Sequence, residues 1–317
     1  LFGLAIPVAF IYLLDLFDDK VRSREHISAK TKMPVVGEIN HVSEMVSNLV
    51  VADKSRSLIA EQFRVLRTNM SFLLQGNKTI LVTSTLPVEG KSFISLNMAA
   101  VLAISGKRVA LLEFDLRKPR LIKNTGLEKK NVGISNFLAH QTDDLNNLHY
   151  NLDNYPTLHI YGCGPVPPNP AELMIGERMQ TLFEKLKKEY DYVVIDSAPV
   201  GPVSDAFSLM PFSDMCLYVI RQRSTRKKQL IFVNELFTTG RLKNSGIVIN
   251  DVMVGARHGY YGYHYGYGYG YGYGYGYGRG YGYGYGERRK VYGEYFDEDL
   301  PQSWLSRVLR KIFGKKK

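Results

Sequence analysis

Short apolar runs alternate with helix-like stretches between residues 55 and 254. Six runs have the continuous apolar character of buried strands, at residues 80–84, 109–114, 158–161, 192–196, 215–220 and 247–250. Helical patterns lie between them at residues 91–104, 170–188, 204–210 and 226–238, and an amphipathic helix is predicted before the first strand at 55–74. Such alternation is typical of a parallel sheet with helices on both faces. The pattern therefore predicts an α/β fold for residues 55–254.

The first 14 residues are apolar and uncharged up to Asp15. A 14-residue helix spans about 21 Å, less than the hydrocarbon core of a bilayer at about 30 Å. Basic residues follow between positions 20 and 32, as expected on a cytoplasmic flank. We therefore predict that residues 1–14 are the end of a transmembrane helix, with a buried core helix as the alternative. Residues 15–54 are predicted to be a cytoplasmic connector.

The pattern breaks completely after residue 254. Residues 259–286 contain 13 Tyr and 13 Gly in near-regular alternation, and such a segment has high backbone entropy and few side chains to pack. Residues 255–300 are therefore predicted to be a disordered Tyr/Gly-rich tail. Residues 301–317 form a basic amphipathic segment containing Trp304, which is predicted either to contact a membrane or to be solvated.

Charge and cysteine content narrow the class of protein. The net charge of the 317-residue chain is +11, and residues 255–317 hold 11 Lys or Arg against 5 Asp or Glu. The α/β region is thus only mildly basic, and no nucleic acid is expected as a partner. Cys163 and Cys216 lack metal-ligand spacing, so both are predicted to be buried free thiols in a reducing compartment.

The first predicted strand leads directly into a phosphate-binding loop. Residues 83–92 read TSTLPVEGKS and are followed by the helix that starts near Phe93. Gly90 permits close backbone approach, Lys91 suits the β- and γ-phosphates, and the Ser92 hydroxyl is a candidate Mg²⁺ ligand. Thr85 stands where the common pattern has its first glycine. The predicted nucleotide-binding residues are Thr85, Pro87, Glu89, Gly90, Lys91, Ser92 and Phe93.

Acidic residues end two other predicted strands. Glu113 and Asp115 end the second strand, and Asp196 ends the strand at 192–196. In a parallel sheet these ends share the edge where ligands bind, and carboxylates there can hold Mg²⁺ beside a triphosphate. Each acid alone is equally typical of a helix cap or a surface position. The three motifs in this order predict a nucleotide site.

These motifs closely resemble those of the bacterial tyrosine kinases attached to polysaccharide co-polymerases. Residues 83–92 match the Walker A loop, residues 113–117 match the D-x-D-x-R of Walker A′ with Glu113 in place of the first Asp, and residues 196–199 match the D-x-x-P of Walker B. The resemblance implies a P-loop NTPase fold that binds ATP and Mg²⁺. It implies catalytic roles for Lys91, Glu113, Asp115 and Asp196, metal ligation by Ser92, Asp115 and Asp196, and nucleotide contacts from Arg117 and Asn250.

The resemblance extends to the helix at 55–74 and to the tail. Glu61, Arg64 and Arg67 match an E-x-x-R-x-x-R motif associated with ring-like self-assembly. The tail matches an autophosphorylated tyrosine cluster, with candidate acceptors Tyr260, Tyr261, Tyr263, Tyr265, Tyr267, Tyr269, Tyr271, Tyr273, Tyr275, Tyr277, Tyr281, Tyr283, Tyr285, Tyr292 and Tyr295.

The resemblance implies an autokinase that acts in trans within an oligomer on the cytoplasmic side of the inner membrane, anchored by its N-terminal helix. The implied partners are other copies of the chain, the polysaccharide polymerase and export machinery, and a cognate tyrosine phosphatase.

Two other functions remain open on the sequence. One is a positioning-type ATPase of the same fold, but those proteins carry a signature lysine five residues before the loop lysine, where this chain has Leu86. The other treats the Tyr/Gly tract as a structural or binding element that phase-separates or stacks on sugars or nucleic acid. A basic cluster at residues 221–228 is predicted either to serve a phosphate or acidic partner or to form the solvated start of a helix.

Overall fold

A computed structural model describes residues 18–42, 47–52, 55–201, 205–242 and 244–253. The predicted membrane-helix end at 1–14, the Tyr/Gly-rich tail at 255–300 with its acceptor tyrosines, and the segment at 301–317 lie outside the described residues. Within the described ranges, no helix has both the length and the apolar character needed to cross a membrane.

Eight strands form one sheet. They are β1 (Val35–Asn40), β2 (Thr79–Ser84), β3 (Val109–Phe114), β4 (His149–Leu152), β5 (Tyr155–Tyr161), β6 (Tyr192–Ser197), β7 (Met215–Arg221) and β8 (Ser245–Val252). Their order across the sheet is β1-β8-β7-β2-β6-β3-β5-β4. Every neighbouring pair is parallel except β4 with β5. The predicted mostly parallel sheet is therefore confirmed.

Helices cover both faces of this sheet. They are α1 (Arg24–Ser28), α2 (Leu58–Leu74), α3 (Lys91–Ile104), α4 (Leu121–Thr125), α5 (Ile134–Leu138), α6 (Pro170–Ile175), α7 (Glu177–Glu189), α8 (Asp205–Leu209) and α9 (Lys227–Thr238), with a 3₁₀ turn at Met210–Phe212. The apolar sides of α2 and α3 pack into one core cluster. Those of α7 and α9 pack into the cluster on the opposite face. This arrangement follows from strands that are apolar on both sides.

Several local differences separate the predicted elements from the observed ones, including the short helices α1, α4 and α5, which were not predicted. The single helix predicted at 170–188 is divided because Gly176 is extended, at φ −71° and ψ 157°. The strands β1 and β4 were not predicted from the sequence. Both lie near the edges of the sheet and are only partly buried, so neither has the continuous apolar pattern of the central strands.

Residues of the predicted connector pack onto the α/β unit. The strand β1 pairs with β8, and Val21 is fully buried. The Val21 N–H donates to the Thr225 carbonyl at 2.8 Å, and the Val21 carbonyl accepts from the Arg223 N–H at 2.8 Å. The described part of segment 15–54 is thus continuous with the sheet. Both cysteines are buried and free, as predicted.

Candidate functional site

The loop between β2 and α3 contains a left-handed turn that requires glycine. Gly90 has φ +97°, and a Cβ atom there would lie 2.0 Å from Asn250 Nδ2. The same Asn250 Nδ2 donates to the Glu89 carbonyl at 3.0 Å. A side chain from β8 therefore holds the loop at the point where α3 begins, and the first N–H groups of a helix lack partners within it.

Other side chains fix the loop from the protein side. Thr85 Oγ1 lies 2.9 Å from the Tyr218 hydroxyl. Glu89 Oε2 accepts the Leu86 N–H at 2.7 Å, and its Oε1 accepts from the Thr225 hydroxyl. Burial raises the pKa of Glu89, and the Leu86 and Thr225 bonds oppose that rise. The predicted residues Thr85 and Glu89 thus use their side chains to shape the loop.

A cavity of about 520 Å³ lies in front of the loop. Eight residues predicted to bind nucleotide or metal line it, namely Pro87, Gly90, Lys91, Ser92, Phe93, Asp115, Arg117 and Asn250. Four others, Thr85, Glu89, Glu113 and Asp196, are buried and outside this lining. The structure therefore brings most of the predicted site to one cavity, at the carboxyl edge of the sheet where ligands of α/β proteins bind.

Asp196 combines deep burial with an unsatisfied oxygen. It is 1% exposed, and its Oδ1 has no hydrogen-bond partner within the described residues. Burial raises the pKa of Asp196 to about 7, while Lys91 and the Ser92 hydroxyl oppose the rise. A buried carboxylate oxygen without a partner is costly. A divalent cation near Lys91 and Ser92 would satisfy it.

The residues present fit a magnesium ion shared with a nucleotide. Across the described ranges, no group of three or more His, Cys, Asp or Glu residues could hold a metal. Mg²⁺ in proteins commonly takes one or two carboxylates and completes its shell with water and substrate phosphates. The residues that would hold it are Ser92, Asp115 and Asp196, with the remaining ligands from outside the protein.

The two acids at the end of β3 have different surroundings. Glu113 is buried, its Oε1 accepts the Leu121 N–H at 2.5 Å, and its Oε2 accepts the Cys163 N–H at 3.0 Å. Burial raises the pKa of Glu113, and these N–H groups oppose the rise. Asp115 lines the cavity, and its Oδ1 accepts the Lys118 N–H at 3.1 Å. Only Asp115 of this pair therefore faces the cavity.

The tyrosine-protein kinase YwqD of Bacillus subtilis is 34% identical to this chain over 227 residues. The matched region covers 71% of this chain and 94% of YwqD. The chain belongs to the bacterial tyrosine kinases. The succinoglycan biosynthesis transport protein ExoP of Rhizobium meliloti is 33% identical over 215 residues, which cover 63% of this chain but 26% of ExoP.

The fold of this bacterial tyrosine kinase agrees with a solved relative. The kinase domain of the Escherichia coli tyrosine kinase ETK aligns with a TM-score of 0.66 at 26% identity, covering 80% of this chain and 100% of the ETK domain. No protein-family profile matches the chain. The predicted P-loop NTPase fold and the predicted family are both confirmed.

Arg117 of this kinase binds a carboxylate that the sequence did not indicate. Its Nε and Nη2 donate to Asp205 Oδ2 at 2.6 Å and Oδ1 at 3.0 Å. Asp205 is buried at the start of α8. Arg117 was predicted to contact the nucleotide; it lines the cavity, and both of these donors bind Asp205. The pair joins the end of β3 to α8.

The motif predicted for self-assembly lies on α2, outside the cavity lining. Arg64 Nη1 donates to Glu61 Oε2 at 3.0 Å, and Arg64 Nη2 donates to the Ser55 carbonyl at 2.7 Å. Arg67 Nη1 donates to the Val101 carbonyl at 3.3 Å. The side chains of Arg64 and Glu61 remain 27% and 44% exposed, so both stay accessible from outside.

Proposed function

We propose that this chain binds Mg-ATP in the cavity and transfers phosphate to tyrosines of its own C-terminal tail. The observation that carries the proposal is the Oδ1 of Asp196, which has no hydrogen-bond partner among the described residues and lies beside Lys91 and Ser92. Membership of the bacterial tyrosine kinases supports the reaction type. The tail supports the choice of acceptor, because residues 259–286 alone contain 13 tyrosines.

The nucleotide is expected to lie along the loop and the start of α3. Lys91 and the N–H groups at the helix start would bind phosphate oxygens, and Asn250 would lie toward the adenine. Mg-ATP supplies the phosphoryl group and a cation that offsets its negative charge. Ser92, Asp115 and Asp196 would hold that cation, which would also balance the buried charge of Asp196.

Asp115 is the proposed proton acceptor for the tyrosine hydroxyl. Both oxygens of Glu113 already accept backbone N–H groups, whereas Asp115 lines the cavity and is bonded through Oδ1 to Lys118 N–H. Phosphoryl transfer depends more on positioning than on a strong base, because its transition state is loose. A carboxylate at the cavity wall is sufficient for that role.

Phosphorylation is proposed to act as a charge switch on an assembly of this chain. Each phosphate adds about 1.5 to 2 negative charges, so a few would reverse the positive charge of residues 255–317. A tail that reaches the cavity of a neighbouring copy would present tyrosines at high effective concentration. ExoP is named for polysaccharide biosynthesis and transport. We propose a similar setting here, with a cognate phosphatase and a membrane anchor at residues 1–14.

Incubation with Mg-ATP tests the kinase proposal. We expect intact mass to show several added phosphates, and peptide mapping to place them between residues 260 and 295. Lys91→Met should remove them, because it deletes the cation that binds the phosphates. Lys188→Met is the matched control, since Lys188 is exposed on α7, and it should be phosphorylated like the wild type.

Two results would contradict the kinase proposal. Hydrolysis of ATP with no phosphotyrosine would favour the positioning-type ATPase. Phosphate that persists in Lys91→Met would show that the reaction does not use this loop.

Deletion of residues 255–300 tests the role of the tail. Full activity of the deleted chain on added peptides would show that the tail is not needed for catalysis.

Loss of both arginines of the α2 motif is expected to prevent self-assembly. We expect Arg64→Ala combined with Arg67→Ala to sediment as a monomer where the wild type forms a larger species, because the accessible guanidinium groups are the proposed contacts. Lys123→Ala with Lys188→Ala removes the same charge elsewhere and should leave assembly intact. Thermal unfolding checks that the first variant is folded, and assemblies that persist in it would remove this motif from the interface.

A further inference from the structure

The loop contains a second residue with left-handed backbone angles, and it is of a type that disfavours that conformation. Val88 has φ +68°, a conformation that β-branched residues rarely adopt. Val88 is also 68% exposed, so burial of its side chain does not compensate. Its carbonyl oxygen accepts a bond from Arg221 Nη1 at 3.1 Å. A side chain at the end of β7 therefore holds this turn.

Arg221 is itself fixed by Asp251. Its Nε donates to Asp251 Oδ2 at 2.8 Å, and Asp251 Oδ1 lies 2.5 Å from His41 Nδ1. Although burial alone would raise it, the bonds from His41 and Arg221 hold the pKa of Asp251 below its usual range. Asp251 has φ +61°, which aspartate tolerates better than most residues. These contacts run from β1 through β8 and β7 to the loop.

The contact that Arg221 makes with the loop lies beside the contact made by Asn250. The carbonyls of Val88 and Glu89 are consecutive along the loop, and they are held by Arg221 and Asn250 respectively. The residues Val88, Arg221, Asn250, Asp251 and His41 all line the cavity. Two adjacent peptide groups of the loop are thus held by side chains from β7 and β8.

We propose that Asp251 is a positioning residue for nucleotide binding, which orients Arg221 so that Arg221 holds the Val88 carbonyl and keeps the loop turned before the nucleotide arrives. The role rests on the proposed nucleotide site. A loop that is already ordered loses less conformational freedom on binding. Removal of the Asp251 charge should therefore weaken nucleotide binding more than it slows phosphoryl transfer.

Asp251→Asn tests this role in the full chain. Asparagine suits the left-handed backbone but lacks the charge that fixes Arg221. We expect the Kd for Mg-ADP and the KM for ATP to rise about 10-fold, as for loss of a bond to a charged group, with kcat changed less than about twofold. Without nucleotide, hydrogen exchange should become faster in peptides that cover residues 85–92.

A matched variant controls for the loss of a carboxylate–arginine pair. Asp143 accepts a bond from Arg178 Nη1 at 2.6 Å, and neither residue lines the cavity. Asp143→Asn should leave Mg-ADP binding and the exchange of residues 85–92 unchanged. Arg221→Lys keeps the charge at Asp251 but lacks the planar fork that joins it to Val88, and it should resemble Asp251→Asn.

Each outcome of these measurements decides the proposal. Unchanged affinity for Mg-ADP in Asp251→Asn, or a lower kcat with an unchanged KM, would overturn the positioning role while the nucleotide site stands. A wild-type chain that does not bind Mg-ADP would overturn the nucleotide site and the positioning role together. Thermal unfolding shows whether Asp251→Asn is folded, and if it is not, the Arg221→Lys result decides.

Discussion

Asp196→Asn is expected to abolish phosphotyrosine formation and, at pH 8, to make the nucleotide-free protein more stable. The activity should fall by about 100-fold or more, because the substitution removes a negative charge from the proposed cation site. The stability should rise because asparagine carries no charge into a position that is 1% exposed. One substitution is therefore expected to move activity and stability in opposite directions.

The gain in stability of Asp196→Asn over the wild type is expected to increase as the pH rises. Burial raises the pKa of Asp196 to about 7 in the folded protein, from an ordinary value of 3.8. Between about pH 4 and pH 7 the folded state retains a proton that the unfolded state has lost, so the wild type loses stability as pH rises through this window. The difference from Asp196→Asn should grow to at most about 4 kcal/mol above pH 7.

Urea denaturation at pH 5 and pH 8, with EDTA present, measures this difference. Asp153→Asn is the matched control, because Asp153 is exposed in the turn between β4 and β5, and it should change stability little at either pH. An Asp196→Asn advantage of equal size at both values would contradict the assigned pKa. Retained autophosphorylation in Asp196→Asn would contradict the cation site.

Substitution of the two acids at the end of β3 is expected to separate folding from catalysis. Glu113→Ala leaves the buried N–H groups of Leu121 and Cys163 without their acceptor, which should lower the free energy of unfolding by about 2–5 kcal/mol. Asp115→Asn retains an oxygen for the Lys118 N–H, so its stability should change by less than about 0.5 kcal/mol. Its phosphorylation rate should fall by about 100-fold, because Asp115 is both a proposed cation ligand and the proposed proton acceptor.

Denaturant unfolding and the rate of phosphotyrosine formation are to be measured on the same preparations. Glu113→Gln is the variant to compare with Asp115→Asn. It keeps one acceptor oxygen for the buried N–H groups, so both variants can be assayed at a temperature where they are folded. Glu113→Gln should retain most of the activity. If Glu113→Gln lost activity that Asp115→Asn retained, Glu113 would be the proton acceptor and the proposed roles would be reversed.

The central strands and the loop could be predicted from the sequence because their signals are local. The helix at 91–104 and the strand at 109–114 were predicted with their observed bounds, since both are predominantly apolar and end at polar or glycine-containing turns. The edge strands β1 and β4 were missed because their partners, not their own patterns, make them strands. Their spacing predicted Lys91 and Ser92 at the end of the loop, and both begin α3 and line the cavity.

Contacts that shape the site could not be read from the sequence. Tyr218 meets Thr85, Thr225 meets Glu89, and Asp205 meets Arg117, across separations of 133, 136 and 88 residues. No periodicity or motif indicates which residues meet over such distances. The basic cluster at 221–228 was the one sequence feature that drew attention to Arg221. Neither of the two interpretations of that cluster included the bond from Arg221 to Asp251 on the adjacent strand.

The order of the strands also has a consequence for how the chain acquires its activity during synthesis. The strand β2 is bordered by β6 and β7, which are translated more than 100 residues after it, and Asn250 is among the last described residues to emerge. Pairings of such high contact order form slowly. A nascent or truncated chain that ends before residue 250 should therefore be unable to hold nucleotide, so binding would report that the chain has been made and folded through β8.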